Sequence, residues 1–142
     1  MTAVLDMIAL QDLTLTKLEE VYRSAFIPSE ITEDGTVKLE LEGIKTFVKV
    51  EPEKKILRFF ALFGTKPGTT RNQVLELSNR INDELVLIRA CCPSALPTPA
   101  LWLDHDLDTE SGMTAEDIVT ETRRFRQVIS AMPPKDTESI LS

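Results

Sequence analysis

Residues 101–117, LWLDHDLDTESGMTAED, set Asp104, Asp106 and Asp108 at alternate positions around His105, the single histidine of the chain. Carboxylates two residues apart on a strand stand on one face, roughly 6 to 7 Å from one another, where a hard cation could draw oxygen ligands from them. D-x-D-x-D is also the first half of a calcium-binding EF-hand loop. Its second half needs Gly at the sixth position and Glu at the twelfth, and this chain has Thr109 and Ala115 there. In an extended strand Trp102 shares the side of the aspartates, while Leu101, Leu103, His105 and Leu107 share the other. The alternation predicts a solvated acidic face with the histidine turned away from it. Asp104, Asp106 and Asp108 are the candidate metal ligands, and Trp102, Asp104 and Asp106 the candidate contacts for a partner.

Other reactive groups are sparse. Cys91 and Cys92 are adjacent, and a trans peptide holds neighbouring α-carbons about 3.8 Å apart, closer than the usual disulfide range of about 4.4 to 6.8 Å, so no structural bridge between them is expected. One thiol buried and one exposed is the expectation, with a thiol switch as the functional alternative. No CxxC or Cys/His spacing suits zinc. The stretch GTKPGTT has glycines, a lysine and threonines before a helix but not the G-x-x-x-x-G-K-[ST] order, so it reads as a strand-to-helix turn. No nucleophile elbow, dinucleotide fingerprint or HExxH is present, so no catalytic residue and no cofactor is expected.

The elements that position these groups follow from periodicity. Thr16 and Glu19 have capping-box spacing, and Leu18, Val21, Tyr22 and Ala25 repeat as on a helix that ends before Pro28. Val37, Leu39 and Leu41 alternate with Lys38, Glu40 and Glu42, as in a strand with one wet face. IKTFVKV and KILRFFALF follow after short connections, too short for parallel crossovers, so the three strands are antiparallel neighbours. The third is apolar at nearly every position and should lie centrally. Thr70 and Gln73 then cap a second helix with the stripe Val74, Leu77, Ile81 and Leu85, beside which Asn79 and Asn82 could tie helix to sheet.

Two further strands, ELVLIRACC and ALWLDHDL, flank PSALPTP, whose three prolines exclude a ladder there. Thr114 and Asp117 start a last helix with Ile118, Thr122, Phe125, Val128, Ile129 and Met132 on one stripe, stopped by Pro133 and Pro134. Glu121 falls inside that stripe and needs Arg124 or a rim position. The order α-β-β-β-α-β-β-α predicts an α+β fold, an antiparallel sheet of about five strands packed by helices. One domain is expected over residues 1–142, with 1–13 a variable lead segment, 14–132 the core and 133–142 a loose tail.

Composition narrows the partners. With a net charge of -7 and Lys and Arg scattered among acids, no basic track exists to release counterions from a nucleic acid. No apolar run reaches the roughly 20 residues that span a bilayer, and MTAVLDMIAL lacks a basic n-region. A cytoplasmic protein without membrane contact is expected.

Three segments, EDGTVKLELEGIKTFVKV, VLELSNRINDELVLIRA and LWLDHDLDTESGMTAEDIVTETRRFRQVI, together resemble the YbjN family of bacterial sensory transduction regulators from about Leu15 to Ile129. The acidic strand followed by SGMTAEDI is similar to the family's last strand, glycine turn and closing helix, and Asn79 and Asn82 fall where its helix carries asparagines. The resemblance implies a fold like the class I type III secretion chaperones, small subunits that commonly dimerise and bind polypeptides without catalysis. It brings no catalytic residues. The expectation is a non-enzymatic, chaperone-like interaction or regulatory module, homodimeric, with a protein partner. The alternative is a small-ligand or metal sensor built on residues 104–108.

Overall fold

The structure, a computed structural model, describes residues 7–41 and 43–142; residues 1–6, Glu42 and the Leu41 side chain lie outside the described residues. Among those described, the principal sheet has six strands in the order β2-β3-β4-β5-β7-β6, and β1 pairs with β8 apart from it. The strands are β1 (Met7–Ile8), β2 (Ser29–Ile31), β3 (Val37–Leu41), β4 (Ile44–Glu51), β5 (Ile56–Phe63), β6 (Arg89–Cys91), β7 (Leu101–Asp108) and β8 (Met113–Thr114). The helices are α1 (Leu15–Ser24), α2 (Arg71–Glu84) and α3 (Ala115–Ile129). The fold is α+β with an antiparallel sheet, as the element order predicts, and β5 is central. The sixth strand, β2, has only three residues and too little alternation to be read from sequence. It pairs antiparallel with β3 across the hairpin turn that follows it.

The chain divides into two compact units, Met1–Phe59 with Asp106–Arg126, and Phe60–His105 with Gln127–Ser142. In the first, Leu18, Val21 and Tyr22 of α1, Val37 and Leu39 of β3, Val48 of β4, Leu57 and Phe59 of β5, and Ile118 and Phe125 of α3 are buried. The Phe59 and Phe125 rings lie 6.1 Å apart at 40°, a tilted pair within the favourable range for aromatics. Helix α1 starts one turn-half earlier than the spacing predicts: Thr14 is the N-cap, its side chain accepting from the Lys17 N–H at 3.1 Å, so Thr16 and Glu19 do not cap it. Helix α3 begins as predicted, with the Thr114 N–H donating to Asp117 and the Asp117 N–H to Thr114 Oγ1. Glu121 is half-buried with Arg124 at 3.9 Å, the partner expected for it.

The lead segment is not wholly variable in structure. Met7 and Ile8 pair with Thr114 and Met113, which draws the chain before α1 against the start of α3. Gly112 permits this approach: its φ is +81°, and an added Cβ would come within 3.0 Å of the Ile8 carbonyl oxygen.

In the second unit the Thr70–Gln73 capping box forms, and Val74, Leu77 and Ile81 are fully buried. The strand expected over ELVLIRACC is only three residues long. Leu87 adopts φ +71°, which breaks an extended strand, and Val86 and Leu87 are exposed. The closing residues, expected to form a loose tail, are tied down. Ile140 is buried, its carbonyl accepts from the Lys66 N–H at 2.8 Å, Leu141 bridges to Thr65, and the Ser142 N–H donates to Gly64 O at 3.1 Å. Asp136 organises the segment by accepting from the Ile140 and Leu141 N–H groups.

Candidate functional site

In the second unit, β5 buries Ala61 and turns Phe60 and Leu62 the other way, and β7 buries Leu101 and Leu103 around a half-buried Trp102. Phe60 stacks on Trp102 with ring centroids 4.6 Å apart and planes 13° from parallel. The indole Nε1–H donates to Asp104 Oδ2 at 2.7 Å. Arg89 of β6, register partner of Asp104, closes on the same carboxylate with Nε–Oδ1 at 3.1 Å and Nη2–Oδ2 at 2.6 Å.

This corrects the reading of the acidic face. Asp104 is only 2% exposed. Its position on the outward side of β7 is as predicted, but the indole, the guanidinium and the neighbouring strand cover it, so it is a buried carboxylate rather than a wet one. A buried carboxylate requires such partners, since desolvating an unpaired charge costs several kcal/mol (about 3 or more).

In the first unit Asp106 is held by Arg58, with Nε–Oδ1 at 2.8 Å and Nη2–Oδ2 at 3.0 Å, and Arg58 also meets Glu51 at 3.1 Å. Asp108 accepts from the Glu110 N–H at 2.9 Å, closing the turn before β8. Each of the three aspartates thus engages its own partner. Among the described residues no three His, Cys, Asp or Glu side chains converge as a metal-binding set. A cleft lined by Asp108, Glu116, Asp117 and Glu121 is acidic, with Asp117 already committed to the start of α3.

Cys91 is half-buried and Cys92 buried, both as free thiols. Burial, the largest influence, pushes the Cys91 thiol above its ordinary range; Arg89 pulls it down, while Asp104 and Cys92 push it further up. That direction disfavours the thiolate a redox switch would use. In GTKPGTT the polar groups are spent on the fold: Thr65 Oγ1 donates to Pro99 O at 2.7 Å and Thr69 Oγ1 to Lys66 O at 2.7 Å. Asn82 binds both backbone groups of Ala90, as expected of a helix-to-sheet tie. Asn79 is exposed.

Sequence reasoning missed two members of the site, Arg89 and Phe60. Arg89 had a readable signal: a lone charge in VLIRACC needs a carboxylate or solvent. Phe60 had none, because KILRFFALF is apolar on both faces.

Helices packed on an antiparallel sheet in this order form a type III secretion chaperone-like fold. A chain of the HopA1–SchA chaperone–effector complex has a TM-score of 0.57 to this chain at 10% identity, over 85% of this chain and 91% of that one. YbjN from E. coli has a TM-score of 0.74 at 17% identity, over 90% and 95%. The family profile described as "Putative bacterial sensory transduction regulator" matches residues 14–134, and the chain belongs to this family, YbjN. No curated protein matches the sequence.

Proposed function

We propose that this chain is a non-enzymatic, chaperone-like module that binds another protein, acting as a cytoplasmic homodimer in bacterial sensory transduction. The observation that carries the reading is the aromatic face of the second unit. Trp102 and Phe60 stack on the side of their strands opposite the core, and Leu62, on the same side of β5 as Phe60, is 46% exposed. Aromatic side chains ordered in advance present contact area at little entropic cost, which is why they dominate interface hot spots. In this reading Trp102 makes the contact and Asp104 holds it in place. The net charge of -7 favours a partner with basic segments. The family's description and the chaperone–effector complex among its structural neighbours support the same class.

Native mass spectrometry of the protein isolated gently from its own cells tests this. The expected species is a dimer carrying another polypeptide, with Trp102→Ala losing the polypeptide and keeping the dimer. A strict monomer with no retained polypeptide overturns the reading. A metal or small-molecule adduct in place of a polypeptide would instead favour a sensor built on residues 104–108.

A further inference from the structure

In the first unit, helices α1 and α3 meet through Tyr22 and Thr122 and leave between them a groove of about 370 Å³. Val21 and Ala25 of α1 and its cap, with Ala115 and Val119 of α3, give the groove its apolar lining, and Glu116 and Arg123 border it from α3. Both charged residues are exposed, and among the described residues neither has an ionic partner. Seven residues are close to two helical turns, so the acid and the base lie in line along α3, about 10 Å apart, with Val119 between them. Phe26, next in the chain to Ala25, is 93% exposed and held at φ +60°. That backbone conformation suits glycine and costs an aromatic residue, and nothing within the chain offsets it.

These features complement a second copy of the same chain. Acid, apolar, base along one helix is a pattern that pairs with its own reverse. A two-fold axis across α3 between Val119 and Thr120 sets two copies of the helix antiparallel, with Glu116 of each against Arg123 of the other. A basic polypeptide would be repelled at Arg123 and an acidic one at Glu116, so the second copy is the occupant that satisfies both. The same symmetry supplies one exposed aromatic ring and one apolar groove on each side, as an isologous contact requires.

We propose that the α1–α3 groove is the homodimer interface of this chain, with Glu116 paired to Arg123 across the axis and Phe26 seated in the facing groove. The inference rests on the homodimer of the proposed function and gives it a surface; the polypeptide contact at Trp102 is independent of it.

Charge reversal tests the pairing, read by sedimentation velocity over a dilution series. Glu116→Arg or Arg123→Glu alone sets two like pairs face to face and should raise the dimer dissociation constant about tenfold or more. Both changes in one chain should return it to within about threefold of wild type. Phe26→Gly keeps the left-handed turn, so the chain stays folded while the dissociation constant rises about tenfold or more. In about 1 M salt the effect of the single reversals shrinks and that of Phe26→Gly remains. A dimer unmoved by the single reversals or by Phe26→Gly, or a double reversal as weak as the singles, overturns this interface and leaves the homodimer standing. A wild-type chain that is monomeric at every concentration overturns both. Should Glu116→Arg disturb the start of α3, Glu116→Gln takes its place: it removes the repulsion in Arg123→Glu, and the pair of changes should bind more tightly than Arg123→Glu alone.

Discussion

Arg89 and Asp104, fifteen residues apart in the chain, meet in a two-bonded fork that also fixes the Trp102 indole, because the same Asp104 Oδ2 accepts from Trp102 Nε1. One side of the pair is open: the Arg89 side chain is 65% exposed and that of Asp104 3%. Loss of the guanidinium strands a buried carboxylate, and solvent reaching the arginine tempers the cost. Arg89→Ala is expected to destabilise the fold by about 2 kcal/mol, with part of the loss recovered when Asp104→Leu is added. Urea unfolding of the single and double variants reads the coupling. Strictly additive losses would show that the fork contributes nothing as a pair.

Tyr22 is fully buried, and its hydroxyl lies 2.7 Å from Thr122 Oγ1. Thr122 in turn donates to Ile118 O at 2.7 Å, so the phenol supplies the proton of the shared bond. Burial pushes the Tyr22 phenol far above its ordinary value of 10.0, with the Thr122 bond opposing. Below that pH both folded and unfolded chains keep the proton and the full contribution is present. Above it the unfolded chain releases the proton first, and stability falls by about 1.4 kcal/mol per pH unit. Tyr22→Phe should cost about 1 kcal/mol at neutral pH. It should also lose this alkaline slope, so the gap to wild type narrows as pH rises above 10. A gap independent of pH would contradict the buried phenol.

Helix α1 ends in a Schellman pattern, the Phe26 N–H donating to Arg23 O at 3.0 Å and the Ile27 N–H to Tyr22 O at 2.9 Å. Glycine usually takes the left-handed position, and here Phe26 holds it at φ +60° while 93% exposed. The conformation costs a non-glycine residue about 1 kcal/mol, and no buried contact offsets it. Phe26→Gly should therefore raise stability by about 1 kcal/mol in thermal or urea unfolding. A loss of stability would reveal packing by this ring.

The raised Cys91 thiol should react with iodoacetamide at neutral pH more slowly than glutathione does. Cys91→Ser, with the buried Cys92 alone remaining, should show little further labelling. Rapid modification at Cys91 would revive the thiol-switch reading.

What could be read from the sequence was local. The Thr70–Gln73 box, the Val74, Leu77 and Ile81 stripe, and the alternation that buries Val37 and Leu39 each depend on neighbours within a turn or along one strand. The paired strands also followed, because short connections leave antiparallel pairing as the only geometry. The burial of Asp104 was not legible: alternation placed it outward, and only the register of β6 against β7, set beyond a proline-rich connection, brings Arg89 across from it. The same limit hid Ile140, whose burial depends on Gly64 and Lys66 far along the chain. The Thr16 and Glu19 spacing pointed to a cap two residues too late; the chain uses Thr14, and the pairing of β1 with β8 fixes the segment just before it.

The chain has one tryptophan and one tyrosine, and the tryptophan sits in the proposed contact face with its ring against Phe60 and its N–H on Asp104. Indole emission shifts to shorter wavelength as water leaves the ring and changes in yield as a nearby carboxylate moves. Excited at the red edge of the indole band, where the Tyr22 phenol does not absorb, the unlabelled protein gives a signal from a single residue, so titration with a cognate polypeptide would report contact at that face without any added dye.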